Sequence, residues 1–235
     1  MATGLVPGWE YRYARFVRKG SMEMLRGRRS VLLVAALALC AGQAFGASFS
    51  FTGAFSTDDQ LQQFNFTLSG TSTITLRTWS YAGGTNQAGM VIPRGGFDPW
   101  LSLYNAAGSL LVSVDNGTCM QVGTDSGTGV CFDSFISQSL GIGMYTLILS
   151  QSDNQPAGLT LADGFTQTGN PTFTSSFACG FPQFCDSTGD SRTNQWAVDI
   201  DNVTSVGGVP EPGTLVLLAS GLAAIVVLRR RKARI

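Results

Sequence analysis

The chain has 235 residues, no histidine, and 15 basic residues against 15 acidic ones. Lack of histidine excludes a Ser-His-Asp triad, a Cys-His dyad and imidazole-ligated zinc. The neutrality is a sum over unlike segments: residues 47–208 hold three arginines, no lysine, twelve aspartates and no glutamate, a net of −9. Such a segment has no basic face for phosphate, which excludes nucleic acid as a partner.

Residues 1–46 read as an upstream extension and a signal peptide. Arg26, Arg28 and Arg29 precede the apolar run Val31–Leu39, and Ala44 and Gly46 supply small residues at −3 and −1. That is the three-part layout of a secretory leader, with cleavage expected after Gly46. Met1–Gly20 fits no part of it, and Met22 or Met24 makes a more ordinary start. Cys40 follows Leu39, where a lipoprotein box needs a small residue, so lipidation is not expected.

Residues 47–208 are expected to form one all-β domain, an antiparallel sandwich of jelly-roll type. Phe64–Leu68 and Thr73–Arg77 alternate apolar and polar residues. Leu101–Leu103 and Leu110–Val114 flank Asn105-Ala106-Ala107-Gly108-Ser109, a loop of turn residues that predicts a hairpin. Met144–Leu149 and Trp196–Ile200 complete the clear strands, and no stretch sustains helical periodicity.

Cys119 and Cys131 lie close in sequence, as do Cys179 and Cys185. In an exported chain an even count favours disulfides; of the three connectivities, neighbours pairing is the one expected, Cys119–Cys131 and Cys179–Cys185. Aspartate without glutamate suits turns and offers hard oxygens to Ca²⁺. Asp58, Asp59, Asp98, Asp115 and Asn116 fall at strand ends and are the candidate Ca²⁺ ligands. Asp186 and Asp190, beside Cys185, form a second candidate loop, although their spacing lacks the EF-hand series. With no histidine, catalysis would rest on a carboxylate pair, for which Asp98, Asp115, Asp186 and Asp190 are nominees. A turn-forming role is the commoner use of each, and no catalytic residue is assigned. Trp79, Tyr81, Phe97, Trp100 and Tyr104 lie close in sequence and suit either sugar stacking or, more commonly, a sandwich core.

The last segment, residues 209–235, joins three devices. Val209-Pro210-Glu211-Pro212 is rigid and extended, Leu215–Leu228 is wholly uncharged, and Arg229-Arg230-Arg231-Lys232 follows. As a helix the apolar run reaches about 21 Å, short of a hydrocarbon core of ~30 Å. The basic cluster fixes its orientation, with the domain on the outer side. The whole resembles the PEP-CTERM sorting signal of Gram-negative bacteria that make exopolysaccharide. The resemblance implies Val209, Pro210, Glu211 and Pro212 as the processing motif, an exosortase as processing partner, and a transient membrane stay through 215–228. It also implies export through the inner membrane to the envelope, surface or extracellular matrix.

A second resemblance lies in the domain. Gly96-Phe97-Asp98-Pro99-Trp100-Leu101-Ser102-Leu103, running on to Val114-Asp115-Asn116-Gly117, is similar to bacterial pre-peptidase C-terminal β-sandwiches. The block from Phe49 to Ile200 resembles a PEP-CTERM-associated family of that kind, and neither resemblance brings an activity. Two functions therefore compete. One is a non-enzymatic surface or matrix protein associated with exopolysaccharide; the other is a polysaccharide-active hydrolase or carbohydrate-binding module using aspartates.

Overall fold

The computed structural model of the protein describes residues 46–207. The predicted signal peptide, sorting motif and 215–228 helix lie outside them; among the described residues no helix is long and apolar enough to cross a membrane.

Among the described residues, eleven strands and one short α-helix follow in chain order, with 3-10 turns at Leu161–Asp163 and Phe173–Phe177: β1 (Ala47–Ala54), β2 (Gln62–Leu68), β3 (Ser72–Thr78), β4 (Gly84–Thr85), β5 (Val91–Ile92), β6 (Pro99–Asn105), β7 (Leu110–Val114), α1 (Cys119–Val122), β8 (Phe135–Leu140), β9 (Gly143–Gln151), β10 (Gln195–Val203) and β11 (Ser205–Val206). One antiparallel sheet has the order β1-β10-β3-β8, the facing one β11-β2-β9-β6-β7, and β4-β5 is a separate ribbon. The antiparallel all-β architecture expected from the alternation is present, and β6 and β7 form the expected hairpin.

Period-two burial explains the pairing. In β2, Phe64, Phe66 and Leu68 face inward while Gln63 and Asn65 face solvent. In β3, Ile74, Leu76 and Thr78 are the buried set. Leu76 is the Cα partner of Ile200, and Leu101 and Leu103 sit opposite Leu149 and Leu147. The inner faces interdigitate in one cluster that includes Phe55, Phe97, Ile136, Trp196 and Val198. Phe55 stacks on Phe97 at 4.9 Å, and Phe64 meets Trp196 edge-on at 5.9 Å. Trp196 has room for its indole because its β1 partner is Gly53, whose missing Cβ would overlap the ring.

Five strands lay outside the sequence expectation: the two-residue β4, β5 and β11, and the longer β1 and β8. β1 alternates serine and phenylalanine but shields one edge, so its apolar side chains are only partly buried. β8 carries just Ile136 and Leu140 inward, too sparse a pattern to stand out.

The chain switches sheets at its end. Between Ala47 and Phe49 the register with β10 shifts by a bulge, and Asn202 takes φ 62° there, a conformation asparagine tolerates better than most residues. Thr204 then carries the chain across, and β11 pairs with β2. Both expected disulfides are formed, Cys119–Cys131 with Cα atoms 5.1 Å apart and Cys179–Cys185 at 5.5 Å. In a chain-entropy model, loops of this size contribute about 2–3 kcal/mol each.

Candidate functional site

The long connections gather polar groups at the end of the sandwich where β6 begins and β7 and β9 finish. Three arginines and twelve aspartates make charge pairing selective there. Arg192, buried, reaches across loops: its Nε donates to the Gly96 carbonyl at 3.0 Å and its Nη2 to the Tyr81 carbonyl at 2.8 Å. The same Nη2 lies 3.4 Å from Asp125, and the guanidinium sits 3.5 Å over the Tyr81 ring. Arg94 grips Asp125 through two nitrogens, at 3.0 and 2.6 Å. Burial works against the Asp125 charge, but Arg94, the amides of Thr128 and Gly127, and Arg192 outweigh it and hold the carboxyl below the usual range. The Tyr81 hydroxyl donates to Asp186 at 2.6 Å, and burial together with that bond raises its pKa.

Asp133 organises the neighbouring turn. Its carboxylate accepts from the Thr78 hydroxyl at 2.8 Å and from the amides of Tyr81 and Ala82 at 3.1 and 2.8 Å. Burial raises its pKa even so, with those donors acting in the other direction. None of Arg94, Asp125, Asp133 and Arg192 was singled out by motif. The available signal was scarcity: a domain with three arginines and no lysine places each where its charge is needed.

The five candidate Ca²⁺ ligands do not converge. Asp58, with 0% exposure, accepts from the Thr174 amide at 3.0 Å, the Thr174 hydroxyl at 2.5 Å and the Phe184 amide at 2.9 Å. Its oxygens are spent on fastening the 171–185 loop, and Phe184 is held there at φ 55°. Asp59 takes the Gly169 amide at 3.0 Å on the same loop. Only Asp98, Asp115 and Asn116 lie near one another, since Ser134 bonds the carbonyls of both Pro99 and Asp115, and the Asn116 amide donates to Asp115 at 2.9 Å. Asp186 and Asp190 form a turn within the Cys185 loop, where Asp186 accepts the Thr188 and Asp190 amides. Among the described residues no group of three or more histidine, cysteine, aspartate or glutamate side chains comes together to hold a metal.

The aromatic group resolves toward packing. Tyr81, Phe97 and Tyr104 are fully buried. Trp79 has Arg77 3.4 Å over its ring, and a Cβ on Gly84 would strike the indole. Its Nε1 donates to Asp199 at 2.6 Å. Trp100 is half-buried, with its Nε1 bonded to Ser113 at 2.5 Å. None of the five offers a free ring face of the kind sugar stacking needs, except part of Trp100.

The outer face of the β1-β10-β3-β8 sheet is polar. Asp199 accepts from Ser50 at 2.5 Å, from Trp79 and from the Gln87 amide at 3.0 Å. Burial raises the pKa of Asp201, with Asp199 adding to the effect. Beside this face the β4-β5 ribbon stands over a cavity of about 340 Å³, lined in part by Thr52, Ser80, Val91, Arg94 and Gln195. That volume is in the range of small-ligand sites. Met90 and Val91 at its rim are exposed.

The comparison with known families bears on the other end of the chain. Residues 208–232 match the family model described as the PEP-CTERM protein-sorting motif. No curated protein matches the chain. The match covers Val209, Pro210, Glu211 and Pro212, all outside the described residues. The motif implies a protein exported and sorted to the envelope or surface of a Gram-negative bacterium and processed by an exosortase.

Proposed function

We propose that the mature protein is a non-enzymatic component of the cell surface or extracellular matrix that associates with exopolysaccharide. The observation that carries this reading is the position of the sorting motif, 208–232, directly behind Val206, a core residue of the last strand. The molecule is then one sandwich and an address. A domain of the pre-peptidase C-terminal kind would serve here as an interaction module, and the cavity under the β4-β5 ribbon is where a saccharide would be held. The carboxylates favour this over hydrolysis. Of the four nominees for a catalytic pair, Asp98 and Asp186 are buried away from any open cleft, and Asp186 is taken up by the amides of its own turn.

Replacing Pro210 and Pro212 by alanine tests the sorting half of the reading. The expected result is an unprocessed precursor, seen as a larger intact mass, retained in the inner-membrane fraction. Sedimentation of the mature protein with purified matrix polysaccharide tests the other half, with Gln195→Ala and Arg94→Ala expected to weaken it. Release of reducing ends from that polysaccharide, lost on changing one aspartate, would refute the non-enzymatic reading.

A further inference from the structure

Asp98 stands just before β6 and Asp115 just after β7, on strands paired so that Leu101 faces Val114. Ser152, which follows β9, ties the end of that strand to Asp98. Its amide donates to the Asp98 carbonyl at 2.8 Å. Ser134 adds the link between β6 and β7, its hydroxyl meeting the carbonyls of Pro99, Val114 and Asp115 together. The spot is therefore crowded with oxygen from four strands' ends.

Within it, two carboxylate oxygens are left without a donor. Oδ1 of Asp98 and Oδ1 of Asp115 are each buried with no hydrogen-bond partner, and Asp98 as a residue is 3% exposed. Gln151, the Cα partner of Pro99, leaves its Oε1 unpartnered as well. Buried acceptors in folded proteins are nearly always satisfied, so an orphaned pair calls for a positive charge or a proton. Because the Ser134 hydroxyl meets the carbonyls of Pro99 and Asp115 at once, the segments that carry Asp98 and Asp115 lie side by side.

The domain itself cannot supply the charge. It has no lysine, and its three arginines are committed: Arg77 lies on Trp79, Arg94 holds Asp125, and Arg192 bridges Asp125, Gly96 and Tyr81. A cation for this spot must come from solvent. The donors are hard oxygens of mixed type: carboxylate, hydroxyl and, through water, carbonyl. Histidine is absent, and the cysteines are locked in disulfides. Ca²⁺ accepts irregular sets of six to eight such oxygens, whereas Mg²⁺ demands near-ideal octahedral geometry.

We infer that Asp98 and Asp115 chelate one Ca²⁺ ion that clamps the start of β6 to the ends of β7 and β9. The site is narrower than the five-residue set suggested by the sequence, since Asp58 and Asp59 take no part. Two carboxylates balance the ion's charge, and water completes the shell that the protein leaves open.

The exported mature protein is melted in EGTA and again in excess CaCl₂, and Tb³⁺ luminescence is excited through tryptophan, with Trp100 two residues from Asp98. The expected result is a melting temperature several degrees higher in CaCl₂, and Tb³⁺ emission that Ca²⁺ displaces. Asp98→Asn and Asp115→Asn should each abolish both responses, while Asp59→Asn leaves them intact. Circular dichroism of the two variants in EGTA checks that they remain folded; if one does not, the other decides. Identical melting of the unmodified protein in EGTA and CaCl₂ would overturn the inference, as would a Ca²⁺ response that survives Asp98→Asn. An equal response to MgCl₂ would overturn the choice of ion. A gain in stability for Asp98→Asn, without any Ca²⁺ effect on the parent, would mean that a proton alone occupies the pair.

Discussion

Asp58 and Asp59 are adjacent and chemically identical, yet the fold predicts very different consequences for removing them. Asp58→Ala deletes the acceptor of three bonds and leaves the amides of Thr174 and Phe184 buried without partners. Each orphaned buried amide costs about 1–3 kcal/mol, and bonds to a charged acceptor stand at the upper end. Counting the two amides, and letting the Thr174 hydroxyl turn to another partner, gives a loss of about 3–5 kcal/mol. That is a large share of a typical stability of about 5–15 kcal/mol. Part of the loss can be confined to the 171–185 loop, because the Cys179–Cys185 disulfide limits how far that loop unravels. Asp59→Ala gives up one bond, to the Gly169 amide at an exposed position, and should cost under about 1 kcal/mol. Urea unfolding of the exported protein measures both, and limited proteolysis of the 171–185 loop reports local opening. Equal small losses for the two variants, with no new cleavage in that loop, would refute the assignment of Asp58 as its fastener.

Gly53→Ala should destabilise by about 1–3 kcal/mol, because the added methyl meets the Trp196 indole in a closed core; thermal melting measures it, and tryptophan fluorescence should shift. Arg192→Ala strips donors from two buried carbonyls and from Asp125, for an expected loss of about 3–5 kcal/mol in the same urea assay. Arg192→Lys should recover only part of it, since a single ammonium cannot span the fork. Asp201 has a raised pKa in the fold, so the native state holds its proton more tightly than the unfolded chain does. Its contribution is then fully present below the ordinary carboxylate range of about 4 and is lost as pH rises through the raised value. Asp201→Asn should accordingly stabilise the protein near neutrality and flatten that part of the stability–pH curve, as followed by melting across pH.

Much of the architecture was legible because it depends on local alternation. Phe64, Phe66 and Leu68, or Leu147 and Leu149, announce a buried face within one strand. The disulfides were legible for the same reason, each closing a loop between neighbours. β8 was hidden because two inward apolar residues in six make no recognisable period, and β1 because its half-buried edge position rewards alternation weakly. The polar end of the sandwich was illegible in principle. Arg192 meets Tyr81 across 111 positions and Asp125 across 67, and nothing in the local sequence of either encodes the meeting. The candidate metal ligands illustrate the limit well. Residue type selected five oxygens at strand ends, but only register and burial separate Asp98 and Asp115, left with empty acceptors, from Asp58, whose acceptors are full.

The junction between fold and address follows from that topology. Val206 is 3% exposed within the core cluster, and the Gly207 amide donates to the Asn65 carbonyl at 2.6 Å. Pro210 stands three positions beyond Gly207 in sequence, a reach of at most roughly 11 Å. At the other terminus Ala47, the residue after the expected signal cleavage, is already paired with Val203. The two ends of the mature domain are thus fixed within a few residues of each other along β10 and β11. A processing enzyme that reads the motif must work against the folded surface of β2 and β11, or must first release a strand of two residues. β11 is a short edge strand, anchored by Val206 and by the bond between Thr67 and Ser205 at 2.8 Å. Peeling it would expose Val206, a residue of the main core cluster, so release of the strand is costly.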